Sequence, residues 1–332
     1  MMKSSDGGDT PPAAGYTDEM RKALDHLATL GPEPYDFTYP PDDDIRRVDA
    51  ERVSIWNMDL PEVASIRHLI LPGDAAIGAA DCEAAVYTPE DAGEGLIFFV
   101  HGGGWAFQNL QTYDRFMRVL CNEARTVVVG VHYRLAPEHP YPAALHDVVS
   151  AFRYVLGHRD GLGLPGGPVV IAGDSAGGNL ALATLLHEQA AGREMPVGGL
   201  LIYGVFGADF ETPSYREHAD GHGLTRFHMQ QFWDWYVPNV ADRSNPVAAP
   251  LQATDAQLRI LPPLFLVVAE YDPLASDTLH LKQRLDGLGR SDILWSERGV
   301  IHGFVQMTAM LESARRVMRE AAEAARRFMA GQ

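Results

Sequence analysis

A serine in a glycine-flanked turn is the residue of this sequence that most directly suggests chemistry. The segment Gly173-Asp174-Ser175-Ala176-Gly177 follows an apolar run typical of a strand and precedes a helical run. A serine in such a sharp turn leaves no space for side chains two positions before and after it, which explains both glycines. The first amides of the following helix would favour negative charge near Ser175. The pattern predicts a nucleophilic serine, with an incidental serine in a glycine-rich turn as the alternative.

A run of three glycines predicts a loop that binds an anionic oxygen. His101-Gly102-Gly103-Gly104-Trp105 comes directly after another apolar run. Consecutive glycines allow backbone N–H groups to turn towards an oxyanion and approach it closely. A phosphate-binding alternative would need G-x-x-x-x-G-K-[ST], or G-x-G-x-x-G opening a helix early in the chain, and neither feature is present.

An acidic residue and a histidine complete the set of candidate catalytic residues. Asp272 follows the apolar run LFLVVA, and His302 lies in a glycine-containing loop after the strand-like segment SDILWSE. The chain order Ser175, Asp272, His302 is that of nucleophile, acid and base in one class of serine hydrolases. Asp277 is the competing acid, which we expect in the next helix, facing solvent or a partner.

The pattern of elements around these residues predicts a parallel sheet covered by helices. Apolar runs typical of buried strands occur at 96–100, 126–131, 169–172, 200–203 and 264–269, and helical stretches at 142–156, 176–191 and 307–329. The carboxyl ends of such strands meet at one edge of the sheet, where an open α/β sheet places its site.

The segment 205–258 interrupts this alternation. It has about 50 residues rich in Trp, Phe, His and Pro, which is too long for a simple crossover. We therefore predict a mobile tail over 1–15, an N-terminal cap segment over 16–50, a catalytic core over 51–204 and 259–332, and an inserted cap over 205–258.

Four motifs in this order, HGGGW, GDSAGGNL, EYDPLASD and IHGF, together with YRLAPEHPYPA, resemble the hormone-sensitive lipase family of α/β-hydrolases in its bacterial carboxylesterase branch. The likeness runs from about residue 60 to about residue 325 and includes GLTRFHMQQFW in the predicted cap. It implies an α/β-hydrolase fold, a mostly parallel doubly wound sheet with a helical cap. One departure is Tyr203-Gly204, where family members often have Tyr-Pro, and this leaves the attachment of the cap open.

The resemblance implies a role for each motif. Ser175 would be the nucleophile, His302 the base and Asp272 its orienting acid. The oxyanion hole would be formed by backbone amides of Gly103, Gly104 and Ala176, although which two of Gly102, Gly103 and Gly104 face inward stays open. Tyr133 and Arg134 would organise the loops around the site. No cofactor or metal is implied.

Aromatic residues near the motifs and in the predicted cap favour an apolar substrate pocket. We expect Trp105, Phe107, Phe206 and Trp233 to bind substrate, while most aromatic residues of the cap serve packing. Together these features predict a carboxylesterase for small neutral esters of short to medium acyl length. The alternatives are an amidase or acyltransferase using the same residues, and a non-catalytic small-molecule receptor of the same fold.

Composition limits the partners. The 332 residues include 27 Lys and Arg against 44 Asp and Glu, a formal charge of −17, which disfavours nucleic acid and anionic membranes and weakly favours neutral over anionic esters. Neither an apolar leader nor a membrane-length apolar run is found, and Cys82 and Cys121 form no metal-ligand pattern. We expect a cytoplasmic protein without cofactor; the resemblance leaves a homodimer open.

Overall fold

The computed structural model describes residues 15–221 and 223–332, so the predicted tail lies, except for Gly15, outside the described residues. The described strands are β1 (Ser65–Leu71), β2 (Cys82–Thr88), β3 (Leu96–Val100), β4 (Val127–His132), β5 (Val169–Asp174), β6 (Gly198–Ile202), β7 (Leu264–Tyr271) and β8 (Ile293–Ile301). They form one eight-stranded sheet in the order β1-β2-β4-β3-β5-β6-β7-β8.

The sheet is parallel from β4 to β8, and β1 and β2 join it antiparallel. The prediction of a mostly parallel doubly wound sheet is therefore confirmed. The antiparallel pair was not among the predicted strands. β1 lies at the edge of the sheet with most of its residues at least partly exposed, so it lacks the continuous apolar run of a central strand.

Eleven helices accompany the strands in the described chain. They are α1 (Asp18–Ala28), α2 (Asp43–Val53), α3 (Asp114–Ala124), α4 (Ala143–Gly157), α5 (Arg159–Leu162), α6 (Ala176–Ala190), α7 (Pro213–Glu217), α8 (Arg226–Tyr236), α9 (Asp255–Arg259), α10 (Ala275–Gly287) and α11 (Glu312–Met329). None of the described helices is long and apolar enough to cross a membrane.

Both faces of the sheet are buried, because successive side chains of each strand point to opposite sides. In β3, Phe98 belongs to the buried cluster that contains residues of α4, α6 and α10, whereas Phe99 belongs to the cluster that contains residues of α3 and α11. Both phenylalanines are fully buried, which explains why the central strands are apolar without alternation. Cys82 and Cys121 are buried free thiols within these two layers.

The order of the strands brings the glycine loop and the serine turn together. β3 has β4 on one side and β5 on the other, so the chain reverses direction across the sheet between these strands. The register pairs Val100 with Gly173 at their carboxyl ends. The loop after β3 and the turn after β5 therefore meet in the crevice where open α/β sheets bind ligands.

The segment 205–258 carries α7, α8 and most of α9 between β6 and β7. Its helix α8 packs on the loop after β3, since Trp105 stacks on Tyr236 with ring centroids 4.4 Å apart and meets Trp233 edge-on at 5.2 Å. The division into cap and core stays a prediction. At Gly204, where the sequence departs from the family pattern, a Cβ would lie 2.4 Å from the ring of Phe206, so any other residue there would require this ring to move.

The last helix begins later than predicted, at Glu312 instead of residue 307. The residues before it form a tight turn, in which the Met310 and Leu311 amides both donate to the Met307 carbonyl. The first amides of α11 then donate to a side chain from another element, because the Glu19 carboxylate of α1 accepts from Glu312 N (2.7 Å) and Ser313 N (2.9 Å). The N-terminal segment thus caps the C-terminal helix.

We expect Glu19→Ala to lower the free energy of unfolding by about 1 kcal/mol, because two helix amides lose an anionic acceptor at the positive end of the helix dipole. Urea unfolding followed by circular dichroism measures this loss. Asp25→Ala, which removes an exposed carboxylate from the same helix, is the matched control. Equal effects of the two substitutions would contradict the capping role.

Candidate active site

The backbone at Ser175 is strained, which orients its hydroxyl away from the sheet. Ser175 has φ 53° and ψ −122°, a conformation that non-glycine residues rarely adopt, and it is only 9% exposed. A Cβ at Gly177 would lie 2.0 Å from the Val100 carbonyl oxygen, and one at Gly173 would lie 2.2 Å from the Gly177 carbonyl oxygen. Both flanking glycines are therefore required by backbone contacts.

Ser175, His302 and Asp272 form one hydrogen-bonded chain. The Ser175 Oγ lies 2.9 Å from His302 Nε2, and His302 Nδ1 lies 2.7 Å from Asp272 Oδ2. An ionised carboxylate can only accept, so Nδ1 carries the proton and Nε2 is free to accept the serine hydroxyl proton. The three residues come from the ends of β5, β7 and β8 and are brought together by the order of these strands.

Asp272 is held in place by its own backbone. Its side chain is fully buried, and Oδ1 accepts the Leu274 amide at 2.8 Å, which leaves Oδ2 for the histidine. The competing acid, Asp277, does lie in α10, and of the two surroundings expected for it, solvent or a partner, it has partners. It is 1% exposed, and its Oδ2 accepts the amides of Phe206 and Gly207 at 2.8 Å each. Burial raises the pKa of Asp277 to about 7.

The glycine loop presents amides beside Ser175. Gly103 and Gly104 have φ of 101° and 59°, and neither amide donates a hydrogen bond within the described chain. The Gly102 amide is already engaged, since it donates to Asp174 Oδ1 at 2.9 Å and to the Tyr113 hydroxyl at 3.0 Å. Ala176 is the first residue of α6, and the first amides of a helix have no partner inside it.

Asp174 ties the glycine loop to the serine turn. Besides the Gly102 amide, its carboxylate accepts the Tyr113 hydroxyl at 2.8 Å, and Gln306 Nε2 donates to the same hydroxyl at 2.7 Å. Burial raises the pKa of Asp174 to about 6, against the hydrogen bond from Tyr113, which lowers it. The residue next to the serine therefore fixes where the glycine amides lie.

His101, the histidine that begins the glycine loop, is buried and hydrogen-bonded inside the protein. His101 is fully buried, its Nε2 lies 2.9 Å from Nδ1 of His132, and the Tyr133 hydroxyl donates to its carbonyl at 3.0 Å. Burial and the neighbouring His132 lower the pKa of His101 to about 3, so the ring is neutral. Arg134 binds the Asp147 carboxylate through two nitrogens, at 2.7 and 2.8 Å. These contacts fit the loop-organising role that the resemblance implies for Tyr133 and Arg134.

A cavity of about 220 Å³ opens at Ser175 and His302. Its wall includes Gly103, Gly104 and Phe107, and it extends to residues of α2 and of the loop before it. A larger polar cleft of about 860 Å³ adjoins it at Gln108, but neither Ser175 nor His302 lies in its wall. We therefore locate the reactive site in the smaller cavity.

Of the four aromatic residues expected to bind substrate, only Phe107 lines this cavity. The expectation is therefore corrected for Trp105, Phe206 and Trp233, which do not line it. Trp105 and Trp233 are fully buried against each other and Tyr236, so they join the segment 205–258 to the core. Phe206 is fully buried beside Gly204. Proximity to the motifs in sequence identified these residues, whereas their side chains face the protein interior.

The cavity instead uses residues that the sequence analysis did not single out. Tyr35 stacks on Phe107 with ring centroids 5.5 Å apart, and Phe37 meets Phe232 edge-on at 5.7 Å. All four of these rings line the cavity. The only signal for Tyr35 and Phe37 was two aromatic residues in a Pro-rich loop, which does not reveal contacts with residues far along the chain. His228 also lines the cavity.

Known proteins share this architecture. A family model described as alpha/beta hydrolase fold matches residues 97–306. The chain is 36% identical over 241 residues to carboxylesterase NlhH of Mycobacterium tuberculosis, covering 71% of this chain and 75% of that one. It is 34% identical over 226 residues to esterase LipI of the same organism, covering 68% and 70%.

Solved structures give the same result. An ester hydrolase from the metagenome of Lake Arreo, in complex with a bipyridine phosphonate derivative, superposes with a TM-score of 0.85 at 32% identity, covering 95% of this chain and 99% of that one. A thermostable esterase from Pseudomonas putida superposes with a TM-score of 0.86 at 26% identity, covering 96% and 99%.

We expect Asp174→Asn to lower kcat for p-nitrophenyl acetate by about 10- to 100-fold. The carboxylate accepts the Gly102 N–H with one oxygen and the Tyr113 hydroxyl with the other, whereas an asparagine side chain has only one acceptor oxygen. KM should change far less, because asparagine has nearly the size and shape of the aspartate that it replaces in the cavity wall. The matched control is Asp292→Asn, which alters another buried aspartate that accepts a backbone amide, that of Leu264 at the opposite end of β7. A kcat of Asp174→Asn equal to that of the control would contradict this role.

Proposed function

Because the chain belongs to the hormone-sensitive lipase family of α/β-hydrolases, we propose that it is a serine carboxylesterase in which Ser175, His302 and Asp272 hydrolyse small neutral esters. The observation that carries the proposal is the continuous hydrogen-bonded chain from the serine hydroxyl to a buried carboxylate. Its position at the mouth of a cavity lets an ester reach the serine.

The first step is attack of the Ser175 oxygen on the ester carbonyl carbon. His302 Nε2 takes the hydroxyl proton as the new C–O bond forms, and Asp272 holds the ring in the tautomer that leaves Nε2 unprotonated. General-base assistance of this kind contributes about 10²–10⁴-fold in rate. The oxygen of the carbonyl becomes an oxyanion.

We assign the oxyanion hole to the amides of Gly103, Gly104 and Ala176. The engagement of the Gly102 amide with Asp174 and Tyr113 supports this choice among the three glycines. Removal of one such donor costs about 2.7–4 kcal/mol in another serine hydrolase. Because the loop is already held by Asp174, the donors need little rearrangement when the charge develops.

The second half of the cycle releases the two products. The imidazolium of His302 gives its proton to the leaving alcohol oxygen as the tetrahedral intermediate collapses to an acyl-serine. Water then attacks the acyl carbon with His302 again accepting a proton, and the acid leaves with regeneration of Ser175. No step in this sequence requires a cofactor.

The cavity supports short to medium acyl chains. Its volume of about 220 Å³ is below the range of about 300–1,000 Å³ for sites that hold drug-sized ligands. Apolar rings line it near the serine, and the formal charge of −17 disfavours anionic esters. The same triad would also serve an amidase or an acyltransferase, whereas a receptor of this fold would not need His302 in contact with Ser175.

We expect Ser175→Ala to remain folded and to lose at least about 10³-fold in kcat for p-nitrophenyl butyrate, because no hydroxyl remains to attack the carbonyl. A fluorophosphonate probe should label the native protein at Ser175 and leave the variant unlabelled. Ser150→Ala, at a buried serine on α4, is the control and should keep both properties. Undiminished turnover by Ser175→Ala would assign the nucleophile to another residue, and a native protein that neither labels nor turns over would favour the receptor.

Turnover should also depend on acyl length. In a series of p-nitrophenyl esters, kcat/KM should be highest for short to medium chains and fall for long ones, because the cavity is small and packed rings form part of its wall. Phe232→Ala should shift the optimum towards longer chains by removing one of these rings. A preference for emulsified long-chain esters over butyrate in the native protein would refute the assignment of substrate class.

A further inference from the structure

Arg46 of α2 is bound to two loops of the active site. Its side chain is 14% exposed. Its Nε donates to the Ala106 carbonyl at 2.9 Å, and one of its terminal nitrogens donates to the Ala136 carbonyl at 3.0 Å. Both terminal nitrogens also donate to the Glu138 carboxylate. A single guanidinium therefore joins α2 to the loop after β3 and to the loop after β4.

The Ala106 carbonyl belongs to a tight turn that includes Gly103. In this turn the Gly103 carbonyl accepts the amides of Ala106 at 3.1 Å and Phe107 at 2.9 Å. The Gly103 carbonyl and the Gly104 N–H lie in one planar peptide group and point in opposite directions. The two hydrogen bonds to the carbonyl therefore restrict the direction of the Gly104 N–H, which is one of the proposed oxyanion donors.

The Ala136 carbonyl connects the same turn to the loop after β4. The Ala136 amide donates to the Trp105 carbonyl at 2.9 Å, so this loop is bonded to the turn and to Arg46. In the described chain, Arg46 is the only donor to the carbonyls of Ala106 and Ala136. Loss of the guanidinium would leave both carbonyls without a partner inside the protein, and the turn would lose its hydrogen bond to α2.

We propose that Arg46 is a positioning residue, which orients the Gly104 amide towards the oxyanion from outside the substrate cavity. The inference rests on the proposed esterase function and adds a residue to its machinery. Arg46 lines the larger polar cleft and not the smaller cavity, whereas Asp49, Arg52 and Val53 of the same helix line the smaller cavity. The helix α2 therefore contacts the substrate space directly and the oxyanion loop through Arg46.

The geometry of this contact requires a guanidinium. Its five N–H donors lie in one plane, so it bonds two carbonyls and a carboxylate at the same time, whereas a lysine ammonium presents three donors at a single point. The ion pair matters less, because the Glu138 side chain is 47% exposed and an exposed ion pair contributes little. The two hydrogen bonds to carbonyls are thus the part of the contact that positions the turn.

Four variants test this role, with turnover of p-nitrophenyl butyrate expressed per site titrated to completion by a fluorophosphonate. Arg46→Met should lower kcat by about 10- to 100-fold and change KM by less than about threefold, because a donor is misplaced while the cavity wall is kept. Arg46→Lys should lower kcat less, and Glu138→Gln should keep kcat within about twofold of the native value. Arg47→Met is the matched control and should behave as the native protein, since that side chain pairs with Asp44 and Glu51 inside α2.

A pair of ketones of equal chain length separates positioning from a loss of stability. A trifluoromethyl ketone takes the Ser175 oxygen at its carbonyl carbon, the hydroxyl proton passes to His302, and the carbonyl oxygen becomes an oxyanion in the hole. The methyl ketone binds without this addition. In Arg46→Met, the inhibition constant of the trifluoromethyl ketone should rise by about the factor by which kcat/KM falls, and that of the methyl ketone should stay native. A variant that is only less stable would have fewer titratable sites and native constants for both ketones.

The outcomes separate the two proposals. Native kcat and native inhibition constants in Arg46→Met would overturn the role of Arg46, and so would a loss confined to KM, which is expected if Arg46 merely holds α2 in the cavity wall. If Arg46→Met does not fold, Arg46→Lys gives the same test: a smaller loss of kcat and of affinity for the trifluoromethyl ketone supports the role, and native values of both overturn it. Failure of the native protein to hydrolyse any ester would instead refute the proposed function.

Discussion

The contact between the loop after β3 and the turn after β5 is the constraint on which the rest of the site depends. At this contact the Val100 carbonyl oxygen lies where a Cβ of residue 177 would be, so the two backbones approach as closely as glycine permits. Gly103, Gly104 and Ser175 line the same cavity beside this contact, and all three have a positive φ. Hydrogen bonds from the Gly102 amide and Tyr113 to Asp174 hold the arrangement.

The site stabilises its buried carboxylates with backbone amides. Asp272 accepts the Leu274 amide, Asp174 the Gly102 amide, and Asp277 the amides of Phe206 and Gly207. Each of these hydrogen bonds joins a buried carboxylate to the backbone of a loop. The bonds offset part of the cost of burying the carboxylate, and they also hold the loop in one conformation. Asp49 differs, because one of its oxygens has no partner in the described chain.

The aromatic residues divide into two groups with different functions. Trp105, Trp233 and Tyr236 pack without access to the cavity and attach α8 to the core. Phe37, from the loop between α1 and α2, and Phe232, from α8, instead contact each other in the wall of the cavity. In the proposed esterase, different parts of the chain therefore serve catalysis and substrate selection. The ends of β5, β7 and β8 hold the proposed triad, and rings from the loop around Tyr35 line the cavity in front of it.

The parallel strands could be predicted from the sequence alone, because an apolar run and its flanking glycines fall within a short window. The same holds for the choice of Ser175, Asp272 and His302, which the structure brings within hydrogen-bond distance of one another. The sequence did not determine which aromatic side chains face substrate, where α11 begins, or that Asp49 meets Tyr35. Those features depend on contacts between residues far apart in the chain, such as Glu19 with the amides of α11. These features are visible in the tertiary structure alone, because the surroundings of a side chain depend on how several elements pack together. The spacing of residues in the sequence does not reveal that packing.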